Sequence, residues 1–549
     1  MHNSKRLCAA TINPKMKVGV FFMNQKVLSR LLAAVTLSTA LVYPQAASAA
    51  APAPVLHDDN PSGHFGDWYT GAVPPNASKD KPVILFVQGL HSTYNTWYTT
   101  DGYYDAAYNA GYRTAFVQLK DADGTGGNMW TNGAKLAEVI KKVADYYGVS
   151  KINIIAHSKG GIDTQAALVH YGAHPYVNVV HQLSTPNKGS ELADMAYSNW
   201  AGWLADILGK KDDAVYSLQT SYMANFRAQT DSRSEVGSTK TYMAAGTGDD
   251  GWFSATWFGH AVLPGEDDGA VSVESAFGLP YGIKSFTKDV SHGQIAKASQ
   301  TWDLVKPKLQ NASMKERANK VSKDKSKEAT VEESSVILRG GEVEDTASET
   351  FFLESGIDKL NLDTMTSSED TIVTLISPSG KKYEADLSKK SKSEDEPGIF
   401  QDAVHHFIEV EEPEAGEWTL EVEGSDDAFF MVGSVDGGEE AKVKASKKVF
   451  KKGDKAKISV DLGKNEIDQS SLEKANLTRS MNGEKASVLD EVKFAVKEDE
   501  LTGNFTVPTK PGVYNLSFDI TGINEDGEPF TRSINYNFAV TNSDGELEK

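Results

Sequence analysis

The chain has one cysteine in 549 residues, Cys8, and it lies in an N-terminal stretch expected to be removed. A mature chain without thiols forms no disulfide, so its domains must be held by buried apolar cores. Positive charge is also scarce: 56 Lys and Arg stand against 76 Asp and Glu, a net charge of −20 at pH 7. The first 49 residues carry six Lys/Arg and no Asp/Glu, so without them the balance moves to −26. An acidic surface of this kind argues against nucleic acid as a partner and favours solubility outside the cell. Apolar runs long enough to span a bilayer are missing beyond the N-terminus, so no transmembrane segment is expected.

What is present is strongly segmented. Residues 26–49 run from a basic start (Lys26, Arg30) through apolar Leu31 to Val42 to small residues ending Ala47-Ser48-Ala49, the layout of a secretory signal peptide. Residues 1–49 are therefore read as a signal-peptide region, with Met23 as a second possible start, and the mature chain as extracellular. The remainder is too long for one domain. From about Pro82 to Gln310 short apolar runs alternate with helical patterns, whereas from about Ser335 the helical patterns give way to alternating strands. The expected architecture is an α/β domain with a mostly parallel sheet at 50–314, a charged linker at 315–332, and two all-β sandwiches, immunoglobulin-like in character, at 333–440 and 441–549.

Val83–Val87, Arg113–Leu119, Ile152–Ala156 and Val177–Leu183 read as short buried strands. A helix is predicted from about Asn132 to Tyr147, with Leu136, Val139, Ile140 and Val143 on one face and Gly148 as its stop. In the tail, Trp418, Leu420 and Val422, then Ala456, Ile458, Val460 and Leu462, then Tyr514, Leu516, Phe518 and Ile520 alternate as sandwich strands. Asp436 to Glu440 is the seam between the modules.

The segment Ile152–Gly161, INIIAHSKGG, sets a serine between a buried strand and a glycine-led helix start. A sharp strand-to-helix turn that lifts a hydroxyl clear of the sheet needs small residues two positions either side, and Ala156 and Gly160 supply them. Ser158 is thus the candidate nucleophile, the alternative being a capping serine in an ordinary turn. On this fold the acid and then the base follow the serine in the chain. His170, His174 and His181 fall on or near the helix and strand just after the turn, and His405 and His406 lie in the tail, which leaves His260 and His292. His292 sits in the loop between a strand-like Ile283–Val290 and a helix starting near Gln294, and is preferred. Candidate acids are Asp249 and Asp250, after a strand Thr241–Ala245, and the pair Asp267 and Asp268.

Four segments resemble, in the same order, those of secreted bacterial lipases of family I on the α/β-hydrolase fold: FVQGLHS at Phe86–Ser92, the serine box, STPNKGSELAD at Ser184–Asp194 and DGAV at Asp268–Val271. The resemblance covers residues 82–310 and implies an ester hydrolase, either a triacylglycerol lipase or a carboxylesterase. It favours Asp268 over Asp267 as the acid that orients His292, and places the oxyanion donors on the backbone amides of Leu90 and Lys159. Gln88 and Asn187 stand where the family commonly has histidine, and Ala156 where it has glycine. Family I lipases often hold calcium through an aspartate two residues after the histidine. Gln294 occupies that place, so no cofactor and no metal site are expected from the sequence, with calcium left open but unsupported. Trp200, Trp203, Leu204, Ile207 and Leu208 form an apolar stripe at helical spacing within a possible lid, 191–230. It is either a lid that opens onto a lipid interface or a cap packed permanently on the core. Expected partners are an ester lipid or other acyl ester, with the tail modules on a cell surface or insoluble substrate. Two further readings remain open at this level: a polyester depolymerase whose tail grips its substrate, and a surface adhesion protein with a relic hydrolase domain.

Overall fold

Every residue of Ile152–His157 is buried. A strand apolar on both faces requires sheet neighbours at both edges and helices above and below, the arrangement of a parallel α/β sheet. The computed structural model describes residues 50–209, 211–248, 257–309, 330–385, 391–392, 399–400, 402–468, 475–480, 488–492, 494–497 and 500–547. The signal-peptide expectation, Asp249 and Asp250, and most of the charged linker lie outside the described residues.

Eight strands form the first sheet: β1 Val55–His57, β2 Trp68–Thr70, β3 Ile84–Val87, β4 Thr114–Val117, β5 Ile152–His157, β6 Val177–Leu183, β7 Lys240–Gly246 and β8 Ile283–Lys288. Their spatial order is β1-β2-β4-β3-β5-β6-β7-β8. The edge strands β1 and β2 pair antiparallel, and β4, β3, β5, β6, β7 and β8 run parallel. Helix α1, Met129–Tyr147, begins before the predicted Asn132 because the Asn128 side chain accepts from Trp130 N and Thr131 N. It ends at Gly148 with φ 63°, a left-handed residue that glycine adopts without strain. Helix α2, Gly160–Val169, leaves directly from the serine turn and is buried along its whole length.

The tail is two antiparallel sandwiches, with one short parallel pairing in the second. In the first, Val336–Val343, Asp427–Asp436, Lys359–Thr366, Val404–Glu411 and Ser391–Lys392 face a sheet of Thr346–Leu353, Gly416–Glu423, Ile372–Ile376 and Lys382–Glu384. Trp418, Leu420 and Val422 point into its core, as their alternation predicts. The second is centred on the long pair Gly512–Ile523 and Pro529–Thr541. Thr330–Ser334, whose first residues were read as linker, is a strand of this second module paired with Ala441–Ala445.

Between β6 and β7 lies a cap of four helices: α3 Glu191–Ala196, α4 Gly202–Ile207, α5 Asp213–Leu218 and α6 Thr220–Thr230. Most of its apolar stripe is covered by the tail. Helix α4 packs on the tail strands Val336–Val343 and Asp427–Asp436, and α6 on Pro529–Thr541. Trp200 and Leu204 are buried there, Trp203 and Leu208 are partly covered, and Ile207 is exposed. The approach is close: a β-carbon on Gly340 would lie 2.2 Å from the carbonyl oxygen of Trp200. One apolar cluster runs from Leu90 and Ile162 beside the serine turn, through Leu204 and Phe226, to Leu338, Phe400 and Phe430 of the tail.

Candidate active site

Three non-glycine residues at the carboxyl ends of neighbouring sheet strands have left-handed backbones: His91 after β3 (φ 47°), Ser158 after β5 (φ 51°) and Ser184 after β6 (φ 48°). A β-carbon disfavours this region, so such residues persist only where the surroundings hold them, and they collect at functional sites. Ser158 N donates to Leu183 O at 2.9 Å, which pins the turn to β6. The glycines around it are required by contact. A β-carbon on Gly160 would meet Gln88 O at 2.2 Å, one on Gly161 the Thr185 hydroxyl at 2.1 Å, and one on Gly89 the Ser158 β-carbon at 3.0 Å. The Gln88–Gly89 segment therefore passes directly against Ser158, one residue before the Leu90 amide that the oxyanion expectation invokes.

His292 Nδ1 lies 3.0 Å from Asp268 Oδ2, and its backbone N donates to Asp268 O at 2.9 Å. The second carboxylate oxygen, Oδ1, accepts from Val271 N at 2.8 Å and Ala270 N at 3.2 Å. Burial pushes this carboxyl up, but the His292 charge and hydrogen bond, the Ser184 hydroxyl and the Val271 amide outweigh it and hold Asp268 below the usual carboxylate range. Asp267 turns away: its Oδ1 accepts from Gly269 N at 2.8 Å and pairs with His260 Nδ1 at 2.5 Å. The two aspartates thus divide between the two candidate histidines, and only Asp268 reaches His292.

Side chains to which the sequence assigns no role, that of Lys159 among them, build the rest of the site. His157, adjacent to the serine, is buried and donates from Nε2 to His292 O at 2.8 Å. Burial, and then the neighbouring His292, hold the His157 pKa down to about 3, so it stays neutral at physiological pH. Lys159 is 1% exposed and bonds Asp163 at 2.9 Å and Asp121 at 3.2 Å, while Asn132 donates to both carboxylates. Burial opposes the Lys159 charge, but the two aspartates keep it above its ordinary value. Burial lifts Asp163 to about 6 against the pull of Lys159. A buried cation needs such partners, and the i, i+4 spacing of Lys159 and Asp163 was the available signal.

The departures from the family pattern have structural roles. Gln88, in the orientation that satisfies its amide, donates to Val117 O at 2.6 Å and accepts from Leu119 N at 2.7 Å. Asn187 bridges Gln165, Gln182 and Ala276 O. Among the described residues no group of three or more His, Cys, Asp or Glu is placed to hold a metal ion. No helix among them is long and apolar enough to cross a membrane.

No family model matches the sequence. A Bacillus licheniformis lipase crystallised in propeptide form is 29% identical, with a TM-score of 0.68 over 89% of this chain and 100% of that one. The mature form of that lipase is 42% identical over its entire length and covers 45% of this chain, with a TM-score of 0.42. The chain belongs to the lipase and esterase family of the α/β-hydrolases. A triacylglycerol lipase of Saccharomyces cerevisiae is 26% identical over 172 residues, so the chain spans about half the length of that curated relative. As a lipase-family hydrolase, the chain has the parallel sheet and the antiparallel tail that its sequence predicts.

Proposed function

We propose that this lipase-family chain is a secreted carboxylic ester hydrolase that works through Ser158, His292 and Asp268. The observation that carries the proposal is the 3.0 Å bond of His292 to Asp268, with His292 tied by its carbonyl to His157, the residue preceding the strained serine. Ser158 Oγ attacks the ester carbonyl while His292 Nε2 takes its proton and returns it to the leaving alcohol. Asp268 fixes the imidazole tautomer and stabilises its cation. The tetrahedral oxyanion is held by the amides of Leu90 and Lys159, the latter at the start of α2. Water then hydrolyses the acyl-enzyme by the same proton transfers in reverse order.

The tail is read as a pro-region that covers the cap. Similarity to a lipase in propeptide form extends through it, and the tail strands bury the apolar stripe that a lid would offer to lipid. These contacts favour a covering role over a substrate-gripping one. The test is hydrolysis of p-nitrophenyl esters of increasing chain length by the full chain and by Ser158→Ala, each before and after limited proteolysis in the lysine-rich segment 315–329. Loss of activity in Ser158→Ala and a gain on proteolysis that grows with chain length are expected. Equal rates for the two proteins would overturn the catalytic reading, and an unchanged rate on proteolysis the pro-region reading.

A further inference from the structure

The turn that carries one oxyanion donor is held from outside itself. His91, directly after Leu90, has φ 47°, and its backbone N lies 3.4 Å from Asp121 Oδ1, a long contact. Its ring makes the strong one: Nε2 is 2.6 Å from Asp212 Oδ2, across 121 residues of sequence. Both side chains are largely buried, and Nδ1 has no partner among the described residues. The Asp212 bond is therefore the hold on this side chain.

Asp212 belongs to the cap. It is the N-cap of α5, its Oδ1 accepting from Val215 N at 3.0 Å, and its Oδ2 also accepts from Gly126 N at 2.7 Å. Its main-chain oxygen accepts from the Tyr197 hydroxyl at 3.2 Å, which ties it to the end of α3. Burial opposes the charge, but His91 and the two amides hold the carboxyl below its ordinary range. One carboxylate thus caps a helix of the cap and grips the loop beside Ser158.

We infer that Asp212 and His91 are positioning residues for ester hydrolysis, through which the cap sets the Leu90 amide against the oxyanion. A cap shifted from this position releases the turn, so cap placement and oxyanion stabilisation change together. The inference rests on the reading of Ser158 as nucleophile and Leu90 as donor.

The experiment uses the full chain with p-nitrophenyl acetate and a trifluoromethyl ketone, whose adduct with the serine carries an oxyanion. Asp212→Asn keeps a capping side chain while removing the charge, and His91→Gln keeps the volume. Each is expected to lower kcat about 10- to 100-fold with KM within about twofold, and to weaken the ketone by the same factor. The double variant is expected to lose no more than the worse single one, because both break one contact. Asp212→Ser, which also caps but is too short to reach His91, gives the same loss by a second route if Asp212→Asn does not fold. Unchanged kcat, a change in KM alone, or multiplying losses would overturn the inference. Failure of the underlying reading looks different: the wild-type chain would then not be inhibited by the ketone.

Discussion

His157 and His292 are joined through a ring and a carbonyl: His157 Nε2 donates to His292 O at 2.8 Å, with ring centroids 4.7 Å apart. The residue before the proposed nucleophile thereby holds the backbone of the proposed base. Because burial keeps His157 neutral down to about pH 3, the bond persists wherever the enzyme works. His157→Ala is expected to lower kcat about 10- to 100-fold, since small misplacements of a catalytic group cost rates of this order. Steady-state kinetics on a soluble ester check this. A His157→Ala enzyme with the wild-type kcat would show that the bond does not position His292.

The two aspartates separate cleanly by substitution. Asp268→Asn leaves His292 without the acceptor that sets its tautomer and is expected to cost on the order of 10³–10⁴ in kcat. Asp267→Asn keeps the acceptor for Gly269 N and faces His260, so a loss of less than about tenfold is expected. Reversed magnitudes would make Asp267 the acid.

The cap and tail meet around a buried carboxyl with a definite pH signature. Burial raises Asp194 to about 8, although Lys448 of the tail and Thr220 pull the other way and Glu191 adds to the rise. A carboxyl whose folded pKa lies above its unfolded value binds more protons folded than unfolded. Its cost to stability is absent below about pH 4 and grows as the pH rises toward 8. Melting temperature is therefore expected to fall between pH 5 and pH 8, and Asp194→Asn, which keeps an acceptor for Thr220 N, to flatten that fall. An identical pH dependence in the variant would contradict the assignment.

Docking of the tail on the cap has one point with no spare room. Gly340→Ala would drive a β-carbon to 2.2 Å from Trp200 O, a backbone atom just ahead of α4. If the tail covers the cap, loosening it there raises hydrolysis of a long-chain ester such as p-nitrophenyl decanoate several-fold while the acetate changes little. A soluble, folded Gly340→Ala chain with unchanged rates on both would argue against the covering role.

Much of this arrangement was readable from residues alone. The core strands and the serine turn were legible because close packing admits few residue types: β-branched runs in β5 and β6, and only small residues where Gly160 faces Gln88 O. Chain order and loop position brought out His292, and the DGAV resemblance favoured Asp268. What stayed hidden depends on contacts between distant segments. His157 carried no local sign of its bond to His292 O, nor Ser184 of its contact with Asp268. Asp121 and Asp212 carried no local mark of their partners Lys159 and His91. The stripe at Trp200–Leu208 was visible as apolar, but helical periodicity says only that one face is buried and not what buries it. The tail does so, and that followed only from the packing of α4 on Val336–Val343 and Asp427–Asp436.

The central claim is that Ser158 is the nucleophile, and covalent labelling tests it most directly. The full chain is incubated with a p-nitrophenyl alkylphosphonate, and the adduct is located by mass spectrometry of its peptides. The account predicts a single phosphonyl group on the peptide containing Ser158, formed in step with loss of esterase activity and absent from Ser158→Ala. An adduct on another residue, or activity lost while Ser158 stays unmodified, would contradict it.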